Sequence, residues 1–244
     1  MKKKSLRLLI ILTIILSSVS CSLPFGKKAP ATESGEQNLS PQKNTEVPIT
    51  ASPTEQSTLP FYDEFNDNEN GWAVGENPGD NSDLTAAIKD GLYQWTVYSY
   101  DNSNWSIWPD INQVQNFTFV VDLRQKSKNF DDCDIGMIYR DAANGTMVTI
   151  TLSNKRHSAY LFTENEGWSE LSAWDSNNAI APGSFNQLKV TRIGDLYEFF
   201  VNDQKLSEFT LSEIEKGQLG LSTDVFSADK TCEYEFDNFR VTSP

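Results

Sequence analysis

Apolar and polar positions along most of this chain alternate with the period of a β-strand. Between residues 117 and 124, Phe117, Phe119, Val121 and Leu123 alternate with Thr118, Val120, Asp122 and Arg124. A period of two sends successive side chains to opposite faces, so this run predicts a strand with one buried face. Thr146–Ser153 and His157–Thr163 have the same character. Asp90-Gly91 and Asn202-Asp203 each separate two β-like runs, and both pairs suit two-residue hairpin turns. Only residues 210–216, closed by Gly217, predict a helical turn. Many short strands with regular turn signals predict an all-β sandwich or jelly roll over residues 61–244.

The first sixty residues do not follow this pattern. Lys2, Lys3, Lys4 and Arg7 precede an uncharged apolar run from Leu8 to Leu16, and small residues lead to Ser18-Val19-Ser20-Cys21. A basic segment, a short apolar segment and a small-residue cleavage site make a secretory signal over residues 1–20. The apolar run is shorter than the about 20 residues a spanning helix needs. A cysteine directly after the site resembles the lipobox of bacterial lipoproteins, with Ser18 standing where the family usually has leucine. That resemblance implies a diacylated Cys21 and an extracytoplasmic domain held at the bacterial cell membrane by acyl chains. Residues 21–60 are rich in Ser, Thr, Pro, Glu and Gln and poor in aromatics, and all six tryptophans follow them. Such a segment buries too little apolar surface to offset its ordering entropy, so it is expected to be a disordered tether.

Charge narrows the partners. The formal net charge is −14, with 20 Lys and Arg against 34 Asp and Glu, and the predicted cleavage removes four of the basic residues. So acidic a surface repels nucleic acid and anionic lipid headgroups, which excludes nucleic acid as a partner, and it suits solubility or calcium. Of the three cysteines, Cys21 is spoken for by lipid, leaving Cys133 and Cys232. Outside the cytoplasm an even pair favours a disulfide, with two separate buried thiols as the alternative. One histidine and no C-x-x-C leave zinc without ligands.

The C-terminal third carries a more specific order. Leu188, Val190, a glycine turn at Gly194, then Tyr197, Phe199 and Val201 running into Asn202-Asp203 are followed by Gly217-Gln-Leu219-Gly220-Leu221 and the closing Phe236-Asp237-Asn238-Phe239-Arg240-Val241. Upstream stand Phe61-Tyr-Asp63-Glu-Phe65, Gly71-Trp72 and Gly136-Met-Ile-Tyr139-Arg140. Across residues 61–241 this order resembles the concanavalin A-like lectin and glucanase superfamily, especially the laminin G-like domains of bacterial surface proteins. The resemblance implies a jelly roll of two packed antiparallel sheets with one concave face. Its members include sugar binders, glycosidases, adhesion modules and inert spacers, so the fold alone selects no activity.

Candidate chemistry follows from side chains. Tyr98, Tyr100, Trp105 and Trp108 lie close together among Asp101, Asn102, Asn104 and Asp110. Aromatic faces stack on sugar rings while Asn and Asp bond hydroxyls, which makes this stretch the favoured ligand-binding candidate. Trp168 and Trp174 form a second pair, of a kind that often belongs to the fold in the superfamily. Asp63 in the opening strand and Asp237 in the closing one are candidate ligands for a structural calcium, near where some members hold one. Glycoside hydrolysis needs two carboxylates in a cleft, one with a raised pKa. The Glu-x-Asp-x-x-Glu strand of bacterial laminarinases is absent, and Glu233-Tyr-Glu235-Phe-Asp237 is expected to be a solvent-facing strand. His157, flanked by Lys155 and Arg156, is expected to be exposed, and no Gly-x-Ser-x-Gly elbow accompanies it. No catalytic residue is assigned. The sequence thus predicts a membrane-anchored, non-catalytic module that captures glycan. A protein-interaction or spacer domain, whose partner is another surface protein, is the first alternative, and a glycosidase of the same fold the second.

Overall fold

The structure is a computed structural model, and it describes residues 59–244. The predicted signal, Cys21 and nearly all of the predicted tether lie outside the described residues.

Fifteen strands and no helix make up the described part. One sheet has the order β13-β12-β11-β6-β15-β4-β3-β2. Its members are β13 (Gln204–Thr210), β12 (Leu196–Val201), β11 (Asn186–Ile193), β6 (Phe117–Gln125), β15 (Lys230–Thr242), β4 (Leu92–Ser99), β3 (Ser82–Lys89) and β2 (Gly75–Pro78). β15 is long enough to pair with β4 along its first half, while β1 (Phe61–Asp63) joins it near its end. The second sheet has the order β10-β9-β8-β7-β14-β5. It contains β10 (Gly167–Ser176), β9 (Arg156–Thr163), β8 (Met147–Ser153), β7 (Cys133–Arg140), β14 (Gln218–Val225) and β5 (Ser103–Ile107). Every pairing in both sheets is antiparallel.

The alternation read from residues 117–124 is real. In β6 the four apolar residues are buried, and those between them are partly exposed. Asp90 and Gly91 both take positive φ, as do Asn202 and Asp203, which is the backbone of a type I′ hairpin. Between the sheets lies one continuous core, with Trp72, Tyr93, Trp95, Phe236 and Phe239 in mutual ring contact at one end. Cys133 on β7 and Cys232 on β15 form a disulfide that ties the two sheets together.

The expected helical turn at 210–216 is absent. Leu211 and Ile214 are buried instead, and the loop is held by Arg192. This arginine occupies the inward slot after Leu188 and Val190 and is 1% exposed. It donates to the carbonyls of Gly194, Ile214 and Glu215 and to the Tyr139 hydroxyl. Two carbonyls of this segment, those of Ile214 and Glu215, bond a side chain where a helical turn would have engaged them locally or left them to water, and that outweighs local propensity. His157 is also inward, against expectation. It is 2% exposed, sits edge-on to Phe199, and burial lowers its pKa, so it is a neutral core residue. Its charged neighbours concealed the parity that groups it with Ala159 and Leu161.

Candidate functional site

The outer face of the six-stranded sheet carries a cleft of about 490 Å³. Strand parity explains how it forms. On β7, Cys133, Ile135, Met137 and Tyr139 face the core, which turns Asp134 outward. On β14, Leu219, Leu221 and Val225 face the core, which turns Asp224 outward. The two strands are paired so that Asp224 lies directly opposite Asp134. Side chains directly opposite across an antiparallel pair stand with Cβ atoms about 4.5–5.5 Å apart. Thr149 and Thr151 of β8, Asn104 of β5, and Arg156 and Tyr160 of β9 surround this pair. Trp168 and Trp174 of the edge strand β10, together with Phe226, form an aromatic wall. Trp168 is 51% exposed and leans on Phe162. At the rim, Arg156 bonds Asp131 at 3.1 Å and lies over the Trp174 ring.

The two aspartates are the electrostatic centre. Asp134 is 0% exposed; one carboxyl oxygen accepts from the Thr151 hydroxyl at 3.2 Å and the other has no partner. Burial and the neighbouring Asp224 raise its pKa well above the ordinary carboxylate value. Asp224 is partly exposed and accepts from the Asn104 amide at 2.8 Å. Burial pushes its pKa up to about 6. Both folded values exceed the unfolded one, so each group favours folding in its protonated form and costs stability as pH rises above the unfolded value. Asp224→Asn is therefore expected to gain about 2–3 kcal/mol over the wild type at pH 8 and nothing at pH 3.5. Urea denaturation at the two pH values checks this, and an equal gain at both would contradict the assignment.

The aromatic and acidic residues singled out by sequence lie elsewhere. Tyr98 and Tyr100 are exposed on the outer face of the nine-stranded sheet, edge to face with each other. Their hydroxyls donate to Asp229 and Asp83. Trp105 packs against the core and donates its indole N–H to Ser82 at 2.8 Å. Trp108 is half-buried against the Arg140 guanidinium. None of these four lines the cleft. Asp63 is buried and accepts from the Phe65 amide, the Asn70 side chain and the Trp72 indole, so its carboxylate organises the loop after β1. Asp237 lies opposite Asp122 on β6, and Asp63 lies opposite Phe239 on β15. Among the described residues no three Asp, Glu, His or Cys side chains gather to hold a metal. In the string Glu233–Asp237, Glu235 is buried and engaged by Arg124 and Lys126, which lower its pKa despite burial.

Asp134 and Asp224 escaped the sequence reading, although a signal exists. Each is the one acid within a nearly continuous apolar or small-residue strand, Cys-Asp-Ile-Gly-Met-Ile-Tyr and Leu-Gly-Leu-Ser-Thr-Asp-Val. A charge inside such a run is either exposed on one face or buried at a cost, and both outcomes mark it.

No protein-family model matches this chain, and no curated protein does. Solved structures do. The carbohydrate-binding module CBM66 from Bacillus subtilis is 19% identical, with a TM-score of 0.50, covering 71% of this chain and 96% of its own. The β-glucanase of Bacillus licheniformis is 12% identical with a TM-score of 0.59, covering 78% of this chain and 100% of its own. A glycoside hydrolase family 16 endo-glucanase from Bacteroides ovatus is 8% identical with a TM-score of 0.56, covering 74% and 99%. At these identities the likeness is one of fold, and the described domain is a concanavalin A-like jelly roll of two antiparallel sheets.

Proposed function

We propose that this domain binds carbohydrate in the cleft on its six-stranded sheet, as the extracytoplasmic head of a lipid-anchored protein. The observation that carries the reading is the exposed Trp168 beside Trp174 and Tyr160, above a floor of Asn104, Thr149, Thr151 and Asp224. Flat aromatic walls over convergent polar groups match a sugar ring, which presents apolar C–H faces and a rim of hydroxyls. The carbohydrate-binding module among the solved structures of similar fold supports the same reading. The test is a glycan array probed with the secreted chain carrying Cys21→Ser. Binding to at least one glycan is expected, weakened about tenfold or more by Trp168→Ala, on the scale of losing a stacked aromatic contact. Loss on Tyr100→Ala instead would move the site to the nine-stranded sheet. Silence across the array from a folded domain would overturn the reading in favour of a protein partner.

Anchoring rests on the basic and apolar N-terminal segments ahead of Cys21. Radiolabelled palmitate is expected to mark the wild type and not Cys21→Ser. Two or more acyl chains suffice to hold a soluble domain at a membrane.

One observation favours hydrolysis as a second reading: Asp134 and Asp224 face each other in a cleft, and both have raised pKa values. Retaining glycosidases place two carboxyls about 5–5.5 Å apart. Catalysis ranks below binding because Asp134, at the base of the cleft, is fully buried, which leaves Asp224 as the one member of the pair with any solvent exposure. Release of reducing ends from a bound glycan, abolished by Asp224→Asn, would reverse that order.

A further inference from the structure

Two carboxyls meet at the base of the cleft, and among the described residues no basic side chain bonds either of them. Arg156 is the one basic residue in the lining, against Asp131, Asp134 and Asp224. It is already committed, to Asp131 and to the face of Trp174. Asp134 keeps one buried oxygen without any hydrogen-bond donor, an arrangement that costs free energy unless a ligand supplies the donor. We propose that the cleft selects a glycan bearing a free ammonium group, an amino sugar that is not N-acylated, with the ammonium seated against the Asp134–Asp224 pair beside the aromatic wall. This rests on the carbohydrate reading above and specifies its ligand.

Four considerations distinguish an ammonium from other occupants. A sugar hydroxyl can donate a single hydrogen to the pair, whereas an ammonium offers three donors and a full positive charge. The aromatic wall of Tyr160, Trp168 and Phe226 attracts an organic cation electrostatically and accepts its C–H surroundings. Calcium takes six to eight oxygen ligands, and among the described residues no three Asp, Glu, His or Cys side chains converge to hold a metal. Sulfated or carboxylated glycans meet like charge both here and across the strongly acidic domain.

The titrating groups around the pair are consistent with this. Asp131 and Arg156 are paired with each other, Glu170 lies by the Tyr160 hydroxyl, and burial together with Asp134 and Asp224 keeps the Tyr234 phenol protonated behind the sheet. Asp224 ionises as pH rises through about 6, so a preference for an ammonium is present above that pH and fades below it. An arriving ammonium favours the ionised form of both aspartates, so its binding is accompanied by proton release.

The experiment is calorimetric titration of the secreted Cys21→Ser chain at pH 7 with a glucosamine tetramer, its fully N-acetylated counterpart, a neutral glucan tetramer and calcium chloride. A charge-assisted hydrogen bond to a desolvated pair predicts that the free amine binds about tenfold or more tightly than the N-acetylated form. The heat should also depend on the ionisation enthalpy of the buffer, as proton release requires. Asp224→Asn, and separately Asp134→Asn, should bring the ratio of amine to N-acetyl affinity toward one. The secondary-structure spectrum and intact disulfide of each variant establish that it is folded. Equal affinity for amine and N-acetyl forms, with glucan bound, overturns this proposal and leaves the carbohydrate reading standing. A preference that survives in both Asn variants overturns it by placing the ammonium elsewhere. Tight calcium binding without amine preference replaces it with a metal site. No binding of any of the four, together with a silent array, removes both proposals at once.

Discussion

Replacing Cys133 and Cys232 together by alanine is expected to lower the folding free energy by about 4–5 kcal/mol. The two residues are 99 apart in sequence, so their bond removes much of the conformational freedom of the unfolded chain. The effect should be visible in two ways. The urea midpoint falls, and the slope of free energy against urea steepens because an uncrosslinked unfolded chain exposes more surface. A loss below about 1 kcal/mol would mean that the reduced chain keeps these segments together without the bond. The bond also bears on the site. Cys133 precedes Asp134 on β7, so the covalent tie to β15 anchors the strand whose next residue forms the cleft floor. Ligand affinity is therefore expected to fall in the double variant even at temperatures where it remains folded.

Arg192→Met is the second large effect, at about 3 kcal/mol or more. Methionine fills a similar volume without the guanidinium. The carbonyls of Gly194, Ile214 and Glu215 then lose their donor, as does the Tyr139 hydroxyl. Each buried acceptor left unpaired costs about 1–3 kcal/mol, offset in part by loop movement toward water. Tyr139 and Tyr197 also lose the cation held over their rings. Arg192→Lys should recover little, because a single ammonium cannot reproduce the planar fork that reaches three carbonyls at once. Urea melts measure the loss, and amide exchange places it: protection should fall first in residues 211–217. A variant as stable as the wild type, with those amides unchanged, would show that the loop is held by Leu211 and Ile214 alone.

These residues show why the sequence was legible for architecture and opaque for the site. Alternation in β6, turn pairs at Asp90-Gly91 and Asn202-Asp203, and an even pair of cysteines are local or compositional signals, and the structure contains each element they predicted. Their physics is short-ranged: two-residue turns need left-handed backbone, and a half-buried strand needs alternating polarity. Aromatic clustering was also read locally, and it drew attention to Tyr98–Trp108, a stretch that the structure divides between the outer face of one sheet and the core. Trp168 and Trp174 looked like ordinary framework residues until the edge position of β10 left them beside the cleft.

By itself the sequence determined a strongly acidic, strand-rich domain behind a basic and apolar N-terminal segment, with turn chemistry and a core pattern that argue for a β-sandwich or jelly roll. Tertiary structure decided which side chains share a surface. Asp134 and Asp224 come from strands remote in sequence and become a pair through antiparallel register, which no local pattern encodes. It likewise decided that Arg192 and His157, both polar in the sequence, occupy core slots. The reason is physical: alternation states that a residue shares a side with its second neighbour, whereas charge, depth and partner depend on what another strand brings to that side.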